Sequence, residues 1–128
     1  EEYADTALAA AAGLGIFRPI FFAILKGAAP DVDKAREAWA KELPPVFDVL
    51  EARLGARAFF AGEALSIADI TVACVLMQAA LVAETPLGTW PGLARHFDAM
   101  QALPAIAEPY AAAEKMIRKA LPTRLDLT

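Results

Sequence analysis

The sequence is short of the residues from which many catalytic and metal sites are built. It has one cysteine and one histidine in 128 residues. A single cysteine excludes an internal disulfide and a cysteine-based metal cluster, and a single histidine excludes a two-histidine metal site, HExxH included. Residues that favour strands are scarce as well: Val, Ile and Thr together number 19, against 31 alanines. Alanine is the best helix former and β-branched residues are what strands prefer, so the fold class is expected to be all-α. An excess of basic charge is also missing, with 12 Lys and Arg against 16 Asp and Glu and a net charge of −4. That excludes a broad basic field for a nucleic-acid backbone. Nor is there an initiator Met or a positively charged leader, since Glu1, Glu2 and Asp5 stand at the start. The chain is therefore expected to be a fragment, a processed product or the ordered part of something longer. Its cysteine usage fits a reducing, cytoplasmic compartment.

What is present suits one domain over residues 1–128, with no repeat, low-complexity linker or internal boundary. The longest apolar run, Ile67 to Ala83, holds Asp69, Thr71 and Gln78 and reads as a buried core helix, so no membrane span is expected. Helical punctuation divides the chain into five or six pieces. The first runs from about Tyr3 to Leu25, with Leu8, Leu14, Phe17, Phe21 and Ile24 as its apolar stripe and a kink expected at Pro19. The second opens at Asp31, a natural cap, and carries Trp39, Leu43, Phe47, Leu50 and Leu54 three or four residues apart. A bend or short break is expected at Pro44-Pro45, and Gly55 marks the stop. A helix from Pro91 presents Leu93, Phe97 and Met100 and closes at Pro104. A last one covers roughly Pro109 to Leu121, with Ile106, Tyr110, Met116 and Ile117 as candidate core, and the tail from Pro122 is expected to be ordered only by docking.

The strongest local signal lies at residues 65–70. With Ser66 as N-cap, Asp69 is the third helical residue, the spacing of a capping box in which each side chain meets the other's backbone amide. Leu65 and Ile70 have the spacing of a hydrophobic staple. The helix that follows is apolar all round, which places it at the centre of the domain.

Candidate chemical groups are few. His96 reads as a surface or packing residue, and Cys74 as a small core residue whose thiolate is disfavoured by its apolar surroundings. Gly13 and Gly15 lack the strand–turn–helix context of a phosphate loop, and mark either close packing by another helix or space beside a ligand. Phe17 and Phe21 share one helix face, while Arg18 and Phe22 share the next. This group is either a core stripe with a solvated Arg or the wall of an apolar pocket with one polar group at its edge.

Phe59-Phe60-Ala61-Gly62-Glu63-Ala64-Leu65-Ser66-Ile67-Ala68-Asp69 closely resembles the G-x-x-[ST]-x-A-D signature that begins the central helix of the glutathione transferase C-terminal domain. Flanking stretches fall in the right order: Glu2 to Asp5, Phe47 to Leu54, Trp90 to Leu93 and Leu103 to Ala105. The resemblance covers nearly the whole chain. It implies an all-helical bundle of five to six helices, with a central buried helix starting at Ser66, that acts as half of a bacterial-type enzyme. The other half, a thioredoxin-like domain absent from this sequence, binds glutathione as co-substrate and carries the thiolate-stabilising residue. No catalytic residue, metal or cofactor is thus expected in this chain, and the chain alone is expected to be inactive. Its share is a pocket for a hydrophobic small-molecule substrate, with Leu14, Phe17, Arg18 and Phe21 as candidate wall, and part of a homodimer interface. Ser66 and Asp69, with Leu65 and Ile70, carry over as a structural element only. The alternative is a non-catalytic helical module for protein assembly on the same fold.

Overall fold

The computed structural model describes residues 4–128. The expected helix start at Tyr3, with Glu1 and Glu2, lies outside them. Among the described residues the protein is all-α, a five-helix bundle without strands. Helix α1 spans residues 4–25, and α2 spans residues 32–54. They are followed by α3 (Ile67–Val82), α4 (Pro91–Gln101) and α5 (Pro104–Ala120).

The two long helices change their winding where prolines demand it. In α1 a π-type stretch, Ala4–Phe17, runs into a regular one, Arg18–Leu25, with Pro19 in its first turn. In α2 a short π-type stretch, Ala38–Glu42, lies between Val32–Glu37 and Leu43–Leu54, and the last of these again has proline in its first turn. Proline removes a backbone donor and crowds the carbonyl four residues earlier. The wide turns just before Pro19 and Pro44 absorb that crowding, so each helix continues through its proline. Wide turns also lengthen the repeat. The buried residues of α1 are Leu8, Ala11, Ala12, Gly15, Ile16 and Ile20, and Leu14 is left 49% exposed. Of the expected stripe, Leu8 is core and Phe17 and Ile24 pack against it, whereas Leu14 lies off the core face.

In α2 the expected stripe holds: Leu43, Phe47, Leu50 and Leu54 are buried. The Asp31 carboxylate accepts from the Lys34 amide at 3.2 Å, and Gly55 ends the helix with φ +58°. Helix α3 packs most extensively against α1. It is not enclosed all round, because no described helix covers the face carrying Ile67, Ile70, Cys74 and Gln78. Cys74 is exposed there, contrary to the expected core position. In α4, Leu93, Phe97 and Met100 are buried as expected. Its first turn is held from α2: Glu51 accepts from the Gly92 and Leu93 amides at 2.9 and 2.7 Å, and Trp90 Nε1 donates to Asp48 at 2.8 Å.

Helix α5 starts at Pro104, earlier than the expected Pro109, which sits inside it. A first-turn proline lacks an amide that would be unpaired anyway, so Pro104 opens this helix rather than only closing α4. None of its residues is fully buried, and Met116 is 71% exposed. The tail does dock. Leu125 N donates to Val82 O at 3.0 Å, Glu84 N donates to Leu125 O at 2.8 Å, and Leu127 is buried. Helix α3 has no basic residue in its last turn. Its final carbonyls are met from outside: Arg118 Nη2 donates to Leu81 O at 2.6 Å, and Arg124 Nε donates to Ala80 O. These guanidiniums satisfy orphan acceptors at the negative end of the helix dipole.

Thr6–Leu25 is a helix long and apolar enough to cross a membrane by length and composition, with a mean hydropathy of 2.0. Leu8, Ile16 and Ile20 within it belong to the domain core, and about a third of the stretch is buried.

Candidate functional site

Two constellations stand out, one structural and one open to solvent. The structural one is built on Asp69, which is fully buried. The Ser66 amide and hydroxyl donate to its Oδ2 at 2.8 and 2.9 Å, and Ser66 Oγ faces the Asp69 amide, which forms the capping box. Its Oδ1 accepts from the Phe60 amide at 2.9 Å, which ties the preceding loop to the helix start. The fourth donor is His96 Nε2, at 2.8 Å. Burial alone would push the Asp69 carboxyl up, but the bonds from Phe60, His96 and Ser66 outweigh it and hold the carboxyl below its ordinary 3.8.

His96 is 1% exposed on α4, with the Phe60 ring edge-on at 4.9 Å. The expectation of a surface residue fails and that of a packing residue holds. Its other ring nitrogen, Nδ1, is buried without a partner. This pair was invisible to spacing rules because its members lie 27 residues apart on different helices. Leu65 and Ile70 are 47% and 42% exposed, so any staple between them seals no core. Among the described residues no group of His, Cys, Asp and Glu could hold a metal.

The open constellation lies along α1. Leu14, Phe17, Arg18 and Phe22 line a groove of about 490 Å³, together with Gln78 from the uncovered face of α3. Ala9, Ala10 and Gly13 line it too, and their small side chains keep it open. Phe21 lies elsewhere. It stacks on Phe17 with ring centroids 4.9 Å apart and an interplanar angle of 14°. It turns into a second groove of about 290 Å³, between α1 and the residues Ala113, Met116 and Ile117 of α5. Phe17 borders both grooves. The Arg18 guanidinium lies over the Phe22 ring, 5.9 Å from its centroid. The four candidate wall residues thus divide between two adjoining grooves, and no local pattern places Gln78 in the wall.

The two glycines of α1 divide as well. A Cβ on Gly15 would lie 2.6 Å from Ala38 Cβ, so Gly15 marks close packing against α2. A Cβ on Gly13 would meet nothing within 4 Å, so Gly13 borders open space.

A family model described as glutathione S-transferase, C-terminal domain, matches residues 33–99, just over half of the chain. The matched stretch contains the capping box, Asp69, His96 and Gln78, and it excludes the α1 residues of the groove. No curated protein and no solved structure matches the chain.

Proposed function

The chain belongs to the glutathione S-transferase C-terminal domain family, and from that premise we propose that α1 supplies the wall of a pocket for a hydrophobic co-substrate. The reaction is conjugation or reduction of an electrophile with glutathione. The observation that supports this reading is the groove of about 490 Å³ along Leu14, Phe17, Arg18 and Phe22. Its volume and its mixture of apolar walls with a few polar groups, Arg18 and Gln78, are those of a small-molecule site. The Phe17–Phe21 stack gives the wall a rigid aromatic edge suited to aryl or alkyl electrophiles.

In this proposal glutathione is bound outside these residues, by a thioredoxin-like domain that also supplies the thiolate-stabilising group, and two copies of the whole protein pair as a homodimer. The residues of α1 bind and orient the electrophile and keep water from its apolar face. The Ser66–Asp69–His96 cluster fixes the frame of α3, which brings Gln78 to the groove, and takes no chemical part.

The test is a fluorescence titration of the chain with the neutral apolar probe N-phenyl-1-naphthylamine, beside a calorimetric titration with glutathione. Saturable probe binding, weakened by Phe17→Ala, with no glutathione binding is the expected result. Probe binding unchanged in Phe17→Ala would remove the pocket from α1. Tight glutathione binding by this chain alone would show the glutathione site to be in this half.

A second reading, an assembly module of the same fold, draws on the uncovered α3 face with Ile67 and Ile70 exposed. Concentration-dependent association without probe binding would select it.

A further inference from the structure

A cavity of about 310 Å³ lies where the end of α3, the link to α4, the end of α4, α5 and the tail meet. It shares no lining residue with the grooves along α1. Its apolar lining includes Ala83 and Pro86, and its polar lining includes Glu84, Gln101, Tyr110 and Arg124. The fold has used these polar groups to different degrees. Arg124 Nε donates to Ala80 O, and Nη2 donates to the Glu114 carboxylate and, at 3.4 Å, to the Tyr110 hydroxyl. These bonds fix the guanidinium plane and leave Nη1 uncommitted. Glu84 donates through its backbone amide to Leu125 O at 2.8 Å. Among the described residues its carboxylate forms no ion pair and no hydrogen bond, and it reaches Arg124 only as a longer-range charge. The Gln101 carboxamide likewise makes no hydrogen bond there.

We propose that this cavity binds a small zwitterion carrying an ammonium and a carboxylate on neighbouring atoms, the chemistry of a free α-amino acid. The ammonium pairs with Glu84 and Gln101, the carboxylate takes the free Nη1 edge of Arg124, and the side chain lies on Ala83 and Pro86. Charge complementarity carries the inference. Two opposite charges border one cavity without closing on each other, so a ligand with both charges satisfies both. A guanidinium has five donors in a fixed fork and can serve a second carboxylate beside Glu114. A singly charged ligand would leave one of the two groups unmatched. The volume is at the small end for ligand pockets, which suits a single amino acid. The site is separate from the α1 pocket and does not depend on it.

The experiment is a 15N–1H NMR titration of the full chain with L-norvaline, and with butylamine and pentanoate, which lack its carboxylate and its ammonium respectively. Norvaline is expected to give saturating shifts at the Glu84 and Gln101 amides. Its affinity is expected to be about tenfold above that of either analogue, the order expected for one exposed charge contact. That advantage should shrink as salt is added. Glu84→Gln keeps the backbone bond to Leu125 and changes only an exposed side chain. It is expected to bring norvaline down to the level of pentanoate. Butylamine binding as tightly as norvaline would overturn the proposal in favour of a cation site, and pentanoate doing so would overturn it in favour of an anion site. Absence of saturable shifts at these amides, or norvaline binding untouched by Glu84→Gln, would also overturn it. None of these outcomes bears on the α1 pocket, which the naphthylamine probe reads separately.

Discussion

His96 Nε2 lies 2.8 Å from Asp69 Oδ1, with both side chains sealed from solvent, so the middle of α4 is bonded to the first turn of α3. Asp69 thereby serves three partners besides its own helix cap role: the Phe60 loop, the Ser66 hydroxyl and α4. Removing it strands buried donors rather than deleting one surface contact. Asp69→Ala is expected to cost about 1–3 kcal/mol, the range for leaving buried donors without their acceptor. The exposed tail change Asp126→Ala should move the urea midpoint far less. Equal midpoints for the two variants would contradict the assignment.

The same carboxylate makes stability depend on pH with a definite sign. Its folded pKa is held below the ordinary 3.8 by bonds that outweigh burial. A depressed carboxyl contributes stability above its unfolded pKa and loses it as the pH falls through the folded one. Asp69→Asn cannot titrate there. The gap in urea midpoint between wild type and Asp69→Asn should therefore narrow as the pH is taken below 3.8. A gap that widens on acidification would reverse the sign argued here.

Glu51 and Gly92 form a coupled pair across α2 and α4. Glu51 caps two amides at the start of α4, and a Cβ on Gly92 would lie 2.7 Å from its Oε2. Glu51→Ala should cost about 0.5–2 kcal/mol, as loss of a helix cap does. Gly92→Ala should push the same carboxylate off its amides and destabilise by a similar or smaller amount. In the Glu51→Ala background that clash is gone, and Gly92→Ala should become neutral or stabilising by up to about 1 kcal/mol. Additive losses in the double-mutant cycle would refute the coupling.

What the sequence disclosed, and what it did not, follows from distance along the chain. The Asp31 cap, the Gly55 stop, the α2 stripe and the Ser66–Asp69 box depend on neighbours within one or two turns, and each stands as read. The His96–Asp69 bond and the Glu51 cap of α4 join residues 27 and 41 or 42 apart, and no local pattern encodes them. On α1, Leu8 lies in the core as its pattern implies, whereas the exposure of Leu14 goes with the wide turns before Pro19, which a 3.6-residue period does not describe. Cys74 was misplaced because a helix that is apolar all round does not say which face its neighbours leave bare. At the candidate pocket, Leu14, Phe17 and Arg18 were legible as a group. The partition of Phe21 into a second groove, and the presence of Gln78, required the packing of α1 against α3 and α5.

Gly13 and Gly15, two residues apart on α1, should respond oppositely to alanine. At Gly15 the new methyl would meet Ala38 Cβ at 2.6 Å, and neither α1 nor α2 can yield without moving backbone. Gly15→Ala should cost about 1–3 kcal/mol, as overpacking does. At Gly13 nothing lies within 4 Å, so helix propensity decides, and Gly13→Ala should be neutral or stabilising by up to about 1 kcal/mol. Equal thermal midpoints for the two variants would show that α1 does not approach α2 at Gly15.

Phe47 and Phe17 have the same chemistry and different surroundings. Phe47 is 1% exposed and sits edge-on between Trp39 and Trp90, with ring centroids 6.0 and 4.8 Å away. Truncating it empties a closed part of the core, so Phe47→Ala should cost about 3–5 kcal/mol. Phe17 is half-buried, stacked on Phe21, and borders two grooves open to solvent. Water or a ligand can fill the space its ring leaves, so the cavity penalty largely disappears. Phe17→Ala should cost about 1–2 kcal/mol, the stacking contribution plus part of one side chain's burial. Binding should respond in the opposite order: Phe17→Ala weakens an apolar probe, while Phe47→Ala, measured where it remains folded, does not. A Phe17→Ala loss as large as that of Phe47→Ala, with probe binding intact, would return Phe17 to the core and close the α1 pocket.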